Sequence, residues 1–416
     1  MTVAGSEATV DPARVRTDVE EWIAAHWRSD QPLIEWRRTL AASGWAVPAW
    51  PVAWSGRGLP PWADDVAASA LAAAGAVGPP PGAGMGLAGP TILQHGDDAL
   101  KALLLARIVT GEDRWCQLFS EPGSGSDLAG LSTAARLDGD EWVIDGQKLW
   151  STSAHHADLG LLLARTNWDA PKHRGITCFA LPMHQEGVEA RPLRQMNGHA
   201  SFNEVFLTGA RVPASHVIGA IDDGWRVALT TLAHERRFGG MRRPVIDASA
   251  GQVLAEAADE AAEHFRTYEW YPQRAGRVDL LTSDVLGGRD AIARDRIAAV
   301  WSQQRSQQWT AQRAHAARAA GVEPGAEGSI GKLGMSVVAR AAAAAYTRAV
   351  GAGGMLRGEG APFDGVVAEV LTSVPAQSIA GGTDEIQRNI LGERVLGLPR
   401  EPSVDRDVPY RDVRRG

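Results

Sequence analysis

The sequence predicts an α+β multidomain protein with an N-terminal helical domain (1–113), a middle antiparallel β domain (114–221), a C-terminal helical bundle (222–400) and a short C-terminal tail (401–416). Two observations carry this. Apolar residues recur with a helical period at both ends of the chain and with a strand period between them. Strands and helices do not alternate, as they must in a doubly wound sheet. At 416 residues and 44% hydrophobic content, the chain can also bury several cores.

In the first part, Asp11 is placed to cap a helix that has Pro12 in its first turn, and Val15, Val19, Trp22 and Ile23 fall on one face. Leu100, Leu103, Leu104 and Ile108 mark a second amphipathic helix after Gly96-Asp97-Asp98. Fifteen Trp against four Tyr is unusual, but Trp27, Trp36, Trp45 and Trp50 sit at apolar positions and read as packing.

In the middle part, residues 115–120, 142–144, 148–152, 160–164, 176–181 and 204–207 read as short strands between Gly, Asp and Pro turns. Asp138-Gly139-Asp140 is the clearest hairpin turn. After Asp222-Asp223-Gly224 the helical period returns, interrupted near Gly287-Gly288, Gly321 to Gly328 and Gly351 to Gly360, which leaves four to six helices for a bundle. Residues 405–415 read as extended.

Composition narrows the function classes. A net charge of −7 with no Lys/Arg run argues against nucleic acid. The first residues carry neither a basic n-region nor an apolar h-region, and Pro79-Pro80-Pro81 breaks the longest uncharged stretch, so export and membrane crossing are not expected. Two cysteines, Cys116 and Cys178, make no disulfide framework or metal spacing, and a reducing cytoplasm is expected. His155-His156 has no third ligand spaced with it, so no metal site is expected. Gly123-Ser124-Gly125 is followed at the third position by Leu128, which fails the dinucleotide fingerprint.

Three motifs in order carry more weight than any one of them. They are Ser120-Glu121-Pro122-Gly123-Ser124-Gly125-Ser126-Asp127, Gln147-Lys148-Leu149-Trp150-Ser151-Thr152 and Gly381-Gly382-Thr383-Asp384-Glu385-Ile386-Gln387-Arg388. With these motifs and the three-part organisation, the chain resembles an acyl-CoA dehydrogenase from about residue 10 to 400.

That resemblance implies FAD as cofactor, an acyl-CoA thioester as substrate, an electron-transferring flavoprotein as acceptor, and a homo-oligomer or a hetero-oligomer with a related chain. The acyl group stays open among fatty, branched and steroid-side-chain thioesters. It implies flavin contacts from Phe119, Ser120, Gly125, Ser126, Trp150, Ser151 and Thr152, with Trp150 covering a ring face and Thr152 near N5. A lone strand Trp is ordinarily a core residue, and its neighbours Gln147, Lys148 and Thr152 shift that balance. Thr383 and Glu385 are further flavin contacts by resemblance, although capping of the last helix explains both residues.

The best-known members of the family carry their base just before the Gly-Thr of the last turn, and that position is Gly381 here. Other members carry it on the helix matched by Glu235-Arg236. Glu235 is therefore the expected base, on a face with Ala228, Thr231, Leu232 and Gly239, where partial burial suits proton acceptance near neutral pH. An unremarkable alternative is a surface Glu paired with Arg236 or Arg237. Arg236, Ser126 and Gly382 are the expected acyl-CoA contacts, and the Gly381 backbone N–H can bond the thioester oxygen whatever its side chain.

Two segments depart from the family pattern. His264-Phe265-Arg266-Thr267-Tyr268 stands where the family has Arg-x-x-Phe-Gly, and residues 348–354 replace Gln-x-x-Gly-Gly. A non-catalytic partner subunit of a mixed assembly is the alternative this raises, and a flavin-dependent monooxygenase relative is another.

Overall fold

A computed structural model describes residues 10–235, 244–281, 290–319, 325–326, 328–402 and 405–413. The chain forms two compact units, one of residues 1–192, 202–266 and 405–416, the other of residues 193–201 and 267–404.

The first unit begins with the helix Pro12–His26, capped by Asp11 accepting from the Ala13 N–H at 3.0 Å. Val15, Val19 and Ile23 are buried and Trp22 packs beside them, as their spacing predicts. Around them lie Trp36, Leu40, Trp45, Ala67 and Leu71, with Val253 and Ala257 from the helix Gln252–Arg266. Trp36 is fully buried and donates its indole N–H to the Val77 carbonyl at 2.6 Å, which satisfies the one polar atom such a ring brings inside. In the helix Asp98–Thr110, Leu100, Leu104 and Ile108 are buried with Leu105 and Val109. Leu103 corrects the expectation: it points outward, because the buried stripe runs through 104, 105, 108 and 109.

Eight strands follow: β1 Trp115–Leu118, β2 Ala134–Asp138, β3 Glu141–Thr152, β4 Leu159–Arg165, β5 Ile176–Pro182, β6 Val188–Leu193, β7 Phe202–Pro213 and β8 Val217–Ile218. Their order is β6-β7-β3-β2-β4-β5-β8, with β1 beside β4. β2–β3, β3–β7, β4–β5 and β5–β8 pair antiparallel, β1 runs parallel to β4, and β2 meets β4 in parallel at one position. The β2–β3 hairpin turns at Gly139, with φ +67°, where the Asp-Gly signal placed it. Residues 142–144 and 148–152 belong to one strand, β3, interrupted by two shifts of register.

Both faces of the sheet are covered. Every residue of β4 is buried, with Leu159, Leu161 and Leu163 in a core shared with helices and Leu162 and Ala164 in a core built from strand residues such as Trp142, Phe179 and Val205. That is why Leu159–Arg165 reads as a continuous apolar run and not as an alternation.

Residues 405–413 correct the expectation of an extended tail. Tyr410 is buried in a short 3-10 turn, Tyr410–Asp412, and Pro409 bridges to Pro171.

In the second unit the helices Ala291–Ala319 and Gly328–Val350 carry a core of Ile297, Val300, Val338, Ala339, Ala342, Ala345 and Tyr346, closed by Val367, Val370 and Val374. The alanine run 341–345 lets neighbouring elements approach. A β-carbon on Gly276 would lie 2.9 Å from that of Ala342. The helix Asp384–Ile390 follows the Gly381-Gly382 turn.

Candidate active site

The site builds outward from a buried ion pair. Lys148 on β3 is fully buried, and its ammonium donates to Glu121 Oε1 at 2.8 Å and to the Phe119 carbonyl at 3.1 Å. Glu121 also accepts from the Ser132 N–H at 2.7 Å, the Ser132 hydroxyl at 3.0 Å and the Thr133 N–H at 2.9 Å. Burial alone would raise the Glu121 carboxyl, but Lys148 and the donors from Thr133 and Ser132 hold it down at about 2. Burial pulls the Lys148 ammonium down, against the pull of Glu121 upward. The carboxylate thus pins both ends of the loop between β1 and β2. Glu121 and Lys148 lie inside the quoted motifs, but no spacing rule separates a buried ion pair from a surface one.

Above this anchor the loop faces outward. Gly123, Gly125 and Ser126 are exposed, and a β-carbon added at either glycine would meet nothing within 4 Å. The space over this backbone is open to a ligand.

The strand motif behaves the same way. The β3–β7 register shifts between Lys148 and Ser151, and within that irregularity Trp150 takes φ +61° and is 52% exposed. A large aromatic in the left-handed region costs about 1–3 kcal/mol. The bulge turns its ring outward, touching Phe202 edge-on at 5.6 Å. This is the reverse of an ordinary core Trp.

Beside it, the carbonyl of the buried Ser151 accepts from the Asn203 amide at 2.9 Å, while its hydroxyl has no partner among the described residues. Thr152 is half-buried, and the Ser120 carbonyl accepts from the Leu149 N–H at 2.9 Å. The Phe119 ring lies in the core and its carbonyl accepts from Lys148.

Glu235 is the last described residue of the helix Gly224–Glu235 and is half-buried. The helix is locked at its start, where the Asp222 N–H donates to Thr177 Oγ1 at 2.9 Å, its carboxylate accepts from the Thr166 hydroxyl at 2.5 Å, and a β-carbon on Gly224 would lie 2.7 Å from the Thr177 carbonyl carbon. Val227 and Ala228 enter the core and Leu232 packs against it. Thr231 shares a buried 3.0 Å hydrogen bond with Thr91. Glu235 therefore sits on a helix whose start and middle are fixed. Arg236 and Gly239 lie outside the described residues.

In the second unit, Gly381 and Gly382 have φ +67° and +85°, conformations that favour glycine. The Gly381 N–H makes no hydrogen bond among the described residues, and its carbonyl accepts from Gln387 Nε2 at 2.9 Å. The Thr383 hydroxyl caps the helix by accepting from the Ile386 N–H at 3.3 Å, while exposed Glu385 pairs with Arg388 at 3.5 Å. Asp384 is buried between Lys332 at 3.3 Å and Arg340 at 2.8 Å. Burial acts to raise its carboxyl, but Ser336 and these two cations leave it lowered.

His155 and His156 sit on a 3-10 turn with ring centres 3.9 Å apart, and no cluster of metal-ligating side chains occurs among the described residues. No helix among the described residues is long and apolar enough to cross a membrane.

A helical part, a sheet bearing an outward Trp and hydroxyl-rich loop, and a helical part with a glycine-opened last helix define a three-domain flavoprotein dehydrogenase fold. Family models of the acyl-CoA dehydrogenase N-terminal, middle and C-terminal domains match residues 12–112, 116–209 and 222–396. The acyl-CoA dehydrogenase FadE34 of Mycobacterium tuberculosis is 39% identical over 87% of this chain, a match that covers 46% of FadE34, so the chain spans less than half of that relative's length. IpdE1 of the same organism is 35% identical, over 88% of each chain. Among solved structures, the Tcur3481-Tcur3483 steroid ACAD has a TM-score of 0.63 at 25% identity, covering 96% of this chain and 100% of that one. The chain belongs to the acyl-CoA dehydrogenase family, an oxidoreductase family that works with a flavin.

Proposed function

We propose that this protein dehydrogenates an acyl-CoA thioester to the trans-2-enoyl thioester with FAD as cofactor, Glu235 taking the α-proton. The observation that carries the reading is Glu235 itself, a half-buried carboxylate on a helix locked onto the sheet that presents Trp150, all in one compact unit. Family members with a turn-borne base have a carboxylate where Gly381 stands, so the proton acceptor falls to the helix.

The residues present fit a flavin: Trp150 offers an exposed ring, the Ser151 hydroxyl lacks a partner among the described residues, and the backbone at Gly123 and Gly125 is unobstructed. Ser120, Ser126, Trp150, Ser151 and Thr152 would hold it, and when bound it accepts the β-hydrogen as hydride. Ser126 orients the thioester, and Arg236 and Gly382 are further acyl-CoA contacts by resemblance. Glu235 removes the proton from the second carbon as negative charge moves to the thioester oxygen. The Gly381 N–H is a donor suited to such an oxygen. An electron-transferring flavoprotein is the proposed acceptor. The steroid ACAD relative favours a bulky acyl chain.

A second reading, a partner subunit in a mixed assembly, is favoured by the His264–Phe265 pair, which packs edge-on at 5.0 Å where the family places its phosphate-gripping arginine and phenylalanine. The chain purified alone discriminates. A yellow protein bleached anaerobically by acyl-CoA, with no added acceptor, establishes the dehydrogenase, and a colourless one establishes the partner subunit. A flavin reduced only by an external donor would mark a monooxygenase relative.

A further inference from the structure

The loop 120–131 is closed at its base by Glu121 with Lys148, and its outer part is held in addition by residues 405–413. Tyr410 donates its hydroxyl to the Gly130 carbonyl at 2.6 Å. Its ring lies under the Arg165 guanidinium, 3.5 Å from ring centre to carbon, and beside Trp168 at 5.4 Å. Arg165 is fully buried and donates to the Ala129 carbonyl at 2.7 Å and the Leu131 carbonyl at 3.1 Å. Lys172 ties the same parts together, donating to Asp127 at 3.0 Å and Asp405 at 2.8 Å. Arg411 pairs with Asp169.

A three-residue exposed stretch, Gly125 to Asp127, thus runs from the anchored Ser124 to backbone at 129–131, where Arg165 holds the Ala129 and Leu131 carbonyls and Tyr410 the Gly130 carbonyl. Ser126 adjoins Asp127, which Lys172 holds. Glycine-rich backbone keeps a defined shape only if its ends are fixed.

We propose that residues 405–413 form a strap, with Tyr410 and Lys172 as positioning residues, that fixes the 125–130 loop so that Ser126 is set for its ligand. The proposal rests on the reading of Ser126 as a ligand contact. The strap touches no reacting atom and acts only through loop geometry. Its loss weakens ligand binding while leaving proton removal at saturation intact.

The test uses the full chain and its Tyr410→Ala, Tyr410→Phe and Lys172→Met variants, with a chain ended after residue 404. Amide exchange is measured on the flavin-free protein, and kcat and KM for acyl-CoA on the flavin-loaded one. The expected result is exchange at 125–130 about tenfold faster in Tyr410→Ala and in the shortened chain, with the β4–β5 amides unchanged. KM rises about tenfold with kcat within about twofold. Tyr410→Phe keeps the ring under Arg165 and shows a smaller rise, which guards against simple misfolding. Unchanged loop exchange overturns the strap. Faster exchange with unchanged KM also overturns it, provided that Ser126→Ala raises KM. If Ser126→Ala leaves KM unchanged as well, it is the assignment of Ser126 to the ligand that fails.

Discussion

The loop and strand segments between Ser120 and Thr152 and the turn from Gly381 to Arg388 both carry short polar residues, yet they use them in opposite ways. At the turn the side chains are consumed internally. Thr383 caps, Asp384 is enclosed by two cations, and Gln387 holds the Gly381 and Gly382 carbonyls at 2.9 and 3.5 Å. In the Ser120–Thr152 region Glu121 and Lys148 are consumed, while an exposed Trp in a strained conformation and a buried Ser151 hydroxyl without a partner among the described residues remain. Strain and an unsatisfied polar atom are what the proposed flavin surface would need, whereas polarity satisfied within is what a scaffold needs.

The largest effect expected from breaking this contrast is at the Glu121–Lys148 pair. Glu121→Gln leaves Lys148 buried without its counter-charge and should destabilise the fold by about 3–5 kcal/mol in denaturant titration. The pH dependence has a definite sign. Since the folded carboxyl sits at about 2 against an ordinary 4.5, its stabilisation is complete above about 4.5 and is lost as pH falls toward 2. Acid unfolding of the variant should lack that component.

Next comes the second scaffold: Asp384→Asn, leaving Lys332 and Arg340 uncompensated, should lose about 2–3 kcal/mol with flavin retention unchanged. Thr383→Ala removes one cap and should lose about 1 kcal/mol, read the same way. Smallest in stability is Trp150→Gly, where relief of backbone strain offsets the lost Phe202 contact to within about 1 kcal/mol, so the melting temperature hardly moves. This variant should still shed flavin on gel filtration, and a scaffold Trp would show the reverse pattern.

Legibility followed the same divide. Helices with one buried stripe, such as Pro12–His26, and the Asp-Gly hairpin were readable, because period and turn chemistry are local. Strands β2, β6 and β8 were missed: β2 and β6 carry largely exposed or polar residues, and β8 has two residues. Trp150 and Glu235 were singled out by their motif neighbours. Neither the Glu121–Lys148 pair nor the docking of Tyr410 against Gly130, 280 positions away, could be read, since nothing in local pattern reports a contact at that separation.

The assignment of Glu235 as proton acceptor is tested most directly by anaerobic stopped-flow of the flavin-loaded Glu235→Gln variant with saturating acyl-CoA. An amide of the same shape cannot accept the α-proton, so bleaching of the flavin absorbance should slow by about 10³-fold or more while the ligand still binds. Bleaching at the wild-type rate would contradict the assignment.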